Sequence, residues 1–164
     1  MYGAALHACT RSRDGVTALQ LLQQMSEESV KPNVVCFSSA ILACGKAGDA
    51  LEAENLFQAM PVRQLQPNSF TYAAVIHAHC CTGDVQSAWR RLGDMRAAGF
   101  SISTATTRPF LKAMRRAGPE TTRLVFETML QSQLPTDQTF HEGVMQLLGV
   151  EETYGLLRRY KRIQ

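Results

Sequence analysis

The chain repeats itself every 35 residues, and that period constrains its architecture more than any other feature. KPNVVCFSSAILACGKAGD, beginning at Lys31, returns as QPNSFTYAAVIHAHCCTGD, beginning at Gln66. One column of the repeat reads Tyr2, Phe37, Tyr72, Thr107, Phe140, and four residues on another reads Leu6, Ile41, Ile76, Leu111, Val144. A third reads Leu22, Phe57, Leu92, Phe126, Tyr160, followed three residues later by Met25, Met60, Met95, Met129, Ile163. The units run 1–33, 34–68, 69–103, 104–136 and 137–164, so all 164 residues form a single array with no stretch left for a second domain.

Within a unit the apolar spacing is helical. Phe37, Ala40, Ile41 and Cys44 fall at i, i+3, i+4 and i+7, and Ala53, Phe57 and Met60 at i, i+4 and i+7. Two amphipathic helices per unit follow. Gly48-Asp49 and Gly83-Asp84 lie between them, where glycine can adopt the left-handed conformation after one helix and aspartate can cap the next. Pro32 and Pro67, with Asn33 and Asn68, end one unit and open another. Ala43, Ala78 and Ala113 form a small-residue column that lets first helices approach closely. One hairpin cannot bury both of its stripes, whereas five stacked in register can. The expected fold is therefore all-α, a superhelical α-solenoid of about five antiparallel helix hairpins, its curved inner surface lined by the first helices.

Composition narrows the function classes. The chain is 45% hydrophobic and 19% charged, enough to bury a core, and no apolar run is long enough to span a bilayer. Net charge is +3, unevenly placed: 5 basic and 6 acidic residues up to Pro67, then 12 and 8. Five cysteines, two of them adjacent at Cys80-Cys81, argue against a complete disulfide framework and for a reducing compartment. The opening MYGAALHACTRSRD has the form of neither a secretory signal nor a transit peptide. HAHCC, His77 to Cys81, lacks the second ligand pair that a structural zinc needs, and Cys9 and Cys44 read as small core residues. No Gly-rich phosphate loop, G-x-S-x-G, H-E-x-x-H or deaminase signature occurs, so neither an enzyme nor a cofactor is expected.

The unit length, the aromatic followed four residues later by Leu or Ile, the G-D turn, the A-x-x-x-[FL]-x-x-M second helix and the closing [KQ]-P-N resemble the pentatricopeptide repeat family. The resemblance covers the whole chain and is best over 34–68 and 69–103. The fourth unit is two residues short and places Thr107 and Pro109 in its first helix. Tetratricopeptide repeats, with 34 residues and an early Trp, fit less well. Met1 inside a helix and the missing loop after Gln164 are marks expected of a piece of a longer array.

The resemblance implies binding of single-stranded RNA, one base per repeat, in a mitochondrion or chloroplast, in the service of RNA processing, stability, editing or translation, with other proteins of such a complex as possible partners. The implied base readers are Gly3 with Asn33, Ser38 with Asn68, Ala73 with Ser103, Arg108 with Thr136, and His141 without a partner. Only Ser38 with Asn68 fits the family's usual pattern, which tends toward adenine. The implied base-flanking residues are Val35, Phe70, Ala105 and Gln138. Phe70 reads either as a stacking platform or as packing between hairpins. Arg11, Lys46, Cys81 and Arg116 form a column at the ends of the first helices. The resemblance points its cations at phosphates, and compensation of the helix dipole explains them equally well. The tail RRYKRI reads as a solvated face of a second helix. The competing reading is a protein-interaction solenoid that binds no RNA.

Overall fold

The computed structural model describes residues 2–131 and 138–161. Among these there are ten helices and no strand: α1 (Tyr2–Ser12), α2 (Gly15–Glu27), α3 (Val34–Ala47), α4 (Ala50–Val62), α5 (Ser69–Thr82), α6 (Val85–Ala97), α7 (Thr104–Ala117), α8 (Pro119–Gln131), α9 (Gln138–Leu148) and α10 (Val150–Lys161). Odd-numbered helices are first helices and even-numbered ones second helices.

The turns form for the reasons legible in the sequence. Gly48 and Gly83 sit at φ 93° and 84°, where a side chain would be strained. Asp14, Asp49 and Asp84 then cap α2, α4 and α6 by accepting from Thr17, Glu52 and Ser87 backbone N–H groups. Asn33 and Asn68 cap α3 and α5 in the same way. Pro109 lies inside α7 without ending it.

Each first helix packs on the next, α1 on α3, α3 on α5, α5 on α7 and α7 on α9, while each of α2, α4, α6 and α8 also fits against the following first helix. The closest approach is between α3 and α5, where Gly45 faces Ala78. The small column is buried throughout, with Ala43, Ala78 and Ala113 no more than 1% exposed. Phe37, Ile41, Phe57, Met60, Leu92 and Met95 are all buried, as the columns require. Cys9, Cys36, Cys44 and Cys80 are buried free thiols. Burial pushes Cys44 up to about 11 and Cys80 up to about 12, so both stay protonated at neutral pH.

Candidate nucleic-acid interface

The column at the ends of the first helices closes into a bowl. Arg11, Lys46, Cys81 and Arg116, spaced one repeat apart in sequence, line a single cavity of about 510 Å³. Arg13, Lys112 and His77 join them, and no carboxylate lines it. Burial first, and the nearby Lys46 charge second, hold His77 below its ordinary value, so the ring is neutral at pH 7 and the positive field comes from Lys and Arg. Lys46 donates to the Thr10 carbonyl at 3.1 Å, tying the end of α1 to α3. That bond is to the end of the neighbouring helix, and Lys46 also lines the bowl.

The base-flanking column is exposed. Val35 is 62% and Phe70 52% open to solvent, and Ala105 is exposed as well. Phe70, at the first turn of α5, leaves about half its surface open to solvent. Its ring is available as a stacking face at the first turn of α5.

The reader residues divide. Asn33, Asn68, Ser103 and Arg108 are exposed, as is Gly3, which offers no side chain. Ala73 is half-buried. Ser38 differs from expectation: it is 1% exposed, its hydroxyl turned to Thr71 Oγ1 of the next repeat at 2.7 Å. The expected pair is thus joined through a third residue, because Thr71 Oγ1 also donates to Asn68 Oδ1 at 3.0 Å. Asn68 reaches solvent with its carbonyl oxygen already engaged. Thr136 lies outside the described residues, as do the side chains of Gln138 and His141.

Sequence reasoning missed two features. His77 and Lys112 share a second column, 35 residues apart and four residues before the first, and Arg13 stands two residues beyond Arg11; the sequence reading did not assign any of the three to the interface. Arg91, which no sequence motif singled out, pairs with Glu54 of α4 and with Asp94, and lies 5.0 Å from the centre of the Phe57 ring. His79 Nε2 meets the same Glu54 at 3.2 Å, and its Nδ1 faces Asp84 at 3.5 Å. Burial alone would raise Glu54, but hydrogen bonds from Arg91, Gln58 and His79 hold it below the usual carboxylate range. A pair 37 residues apart was visible only as one acid and one base in neighbouring second helices.

Three family models match the chain: a PPR repeat family over residues 32–81, a pentatricopeptide repeat domain over 1–47 and a PPR repeat over 70–100. Comparison with curated proteins gives no match. Among solved structures, the chain is similar to the pentatricopeptide repeat protein PPR10 from maize, with 20% identity, a TM-score of 0.74 and coverage of 98% of this chain and 24% of that one. PPR10 in complex with an 18-nt psaJ RNA element is similar at 26% identity and TM-score 0.68, over 96% of this chain and 23% of that one. The PPR domain of Arabidopsis thaliana protein-only RNase P 1 in complex with tRNA follows at 18% identity and TM-score 0.67, covering 98% of this chain and 87% of that domain. The chain spans about a quarter of the length of the maize protein. With repeat matches running from residue 1 to residue 100 and the same hairpin stack beyond them, the chain belongs to the pentatricopeptide repeat family.

Proposed function

We propose that the array binds single-stranded RNA along the row of first helices, as a binding module with no reaction of its own. The observation that carries this reading is the convergence of Arg11, Lys46 and Arg116 on one carboxylate-free bowl at the ends of the first helices, whose first turns expose Phe70. Cations contribute affinity through phosphates, and an aromatic face contributes sequence-tolerant stacking of about 1 to 3 kcal/mol per base. Bases would be read at the exposed helix caps Asn33, Asn68 and Ser103 and at Arg108. At one base per repeat, five units limit the footprint to about five nucleotides. The family resemblance supports a role on organelle transcripts, in a mitochondrion or chloroplast, as part of an array longer than these residues.

A second reading has its own observation. Val16 and Leu51, one repeat apart, are 68% and 74% exposed at the starts of α2 and α4. That apolar edge suits a protein partner.

A salt titration of RNA binding separates the two. Lys46→Gln with Arg116→Gln should lower the salt slope of log K by roughly 1.4, at about 0.7 per phosphate contact on a single strand. Affinity should fall alike on all sequences. An unchanged slope would favour the protein-partner reading.

A further inference from the structure

His79 has a carboxylate at each ring nitrogen. The residue is 6% exposed near the end of α5, where Nε2 meets Glu54 Oε2 of α4 at 3.2 Å and Nδ1 faces Oδ2 of Asp84, the cap of α6, at 3.5 Å. The backbone repeats the second link, since the Asp84 N–H donates to the His79 carbonyl at 3.0 Å. Turning the ring over would set carbon atoms against both carboxylates. Other charges stand one step back. Arg91 of α6 donates its Nε–H to Glu54 Oε2 at 3.1 Å, a second guanidinium nitrogen meets Glu54 Oε1, and the third holds Asp94 at 2.7 Å. Arg90 adds its charge near Asp84.

Proton counting separates the two charge states of the ring. A neutral imidazole has one N–H. Given to Glu54, that proton leaves Nδ1 with a lone pair aimed at an anion, and Nδ1 is a buried atom with no hydrogen-bond partner among the described residues. Given to Asp84, it sets the lone pair of Nε2 against Glu54 instead. Either tautomer satisfies one carboxylate and opposes the other, whereas an imidazolium donates to both.

The two carboxylates belong to different repeats. Asp84 caps α6 by accepting the Ser87 N–H at 3.0 Å, and α6 has no close backbone contact with α4, the helix that carries Glu54. We propose that His79 is a proton-operated latch between α4 and α6: a second ring proton ties Glu54 to the start of α6 through the imidazole, and its loss releases the Asp84 side. Histidine is the side chain that changes charge near neutral pH, so the latch stiffens the outer row in mild acid, before carboxylates protonate. It operates whether or not the array binds RNA.

Asp84→Asn is the discriminating variant. Asparagine can keep the α6 cap with its oxygen and give Nδ1 of a neutral ring the donor it lacks, so a second proton is no longer favoured. Nitrogen-15 spectra of the ring, followed from about pH 8 to about pH 5.5, report its charge state. The pH midpoint of His79 should fall by about one pH unit from the parent to Asp84→Asn, the effect of removing one nearby anion from a partly exposed place. The gap itself is measured with spin labels on Leu51→Cys and Gln86→Cys, exposed and equivalent positions of α4 and α6. Cys81, the exposed native thiol, is replaced by serine in that experiment. The distance distribution should narrow from the higher pH to the lower with Asp84 in place and keep its width in Asp84→Asn. An unchanged His79 midpoint overturns the proposal, as does a distribution that stays equally broad at both pH values with Asp84 in place.

Discussion

A β-carbon built on Gly45 of α3 would lie 2.5 Å from Ala78 Cβ and 2.7 Å from Ala78 Cα on α5. Two backbones are in contact here, and neither can yield by rotating a side chain. Gly45 is followed by Lys46, which lines the same bowl as Arg11 and Arg116.

Gly45→Ala should accordingly lower stability by about 1 to 3 kcal/mol, as overpacking does, despite the better helix propensity of alanine. Gly93 of α6 has nothing within 4 Å of its added β-carbon, so Gly93→Ala should raise stability by about 0.5 to 1 kcal/mol. Thermal melts of the two variants check the pair. Equal shifts would show that the inner row has slack.

Thr106 occupies in α7 the place that Thr71 has in α5, is 2% exposed, and has a hydroxyl with no hydrogen-bond partner. The reason lies one repeat back, where Ala73 stands in the place of Ser38. Ala73→Ser should supply the missing partner and stabilise the array by about 0.5 to 1.5 kcal/mol. Denaturant unfolding of Ala73→Ser beside the parent tests this, and a lower midpoint would mean that the α5–α7 boundary cannot admit the hydroxyl.

Glu54 is held below its ordinary value of 4.5 in the folded chain. A depressed carboxylate contributes stability that is present above its unfolded pKa and is lost as pH falls through the folded one. The melting temperature should therefore decline as pH drops below about 4.5. Glu54→Gln should cost about 1 to 3 kcal/mol at pH 7, since Arg91 and His79 lose a charged acceptor in a half-buried place. The variant should also lose less than the parent on acidification. Parallel acid slopes in the two proteins would show that other carboxylates, such as Asp14 and Asp84, govern that limb.

The hairpin stack was legible because each repeat states it anew. Phe37, Ile41, Phe57 and Met60 recur as Tyr72, Ile76, Leu92 and Met95, and Gly48-Asp49 recurs as Gly83-Asp84 at each turn. The site was legible only where it follows the same columns, as the exposed Val35, Phe70 and Ala105 do. What a column cannot express is a contact between unlike positions of adjacent repeats. Ser38 meets Thr71 across such a boundary and is buried by it, and Glu54 meets Arg91 in the same manner. Lys112 lies one helical turn before Arg116 and one repeat after His77, and Arg13 lies two residues after Arg11, so all of them line the bowl.

The two rows of helices are unequally joined: α1, α3, α5 and α7 touch in sequence, while α2 and α4, and α4 and α6, have no close backbone contact. Mechanically the N-terminal half is a strip with a stiff inner edge and a more open outer one, whereas α6 and α8, and α8 and α10, do touch. A pull along its axis would fan the outer helices apart before it disturbed the inner row, with the Glu54–Arg91 pair acting as a tether across one of the gaps. Any give in the stack is thus confined to the gaps between α2, α4 and α6, while the row of first helices holds the register.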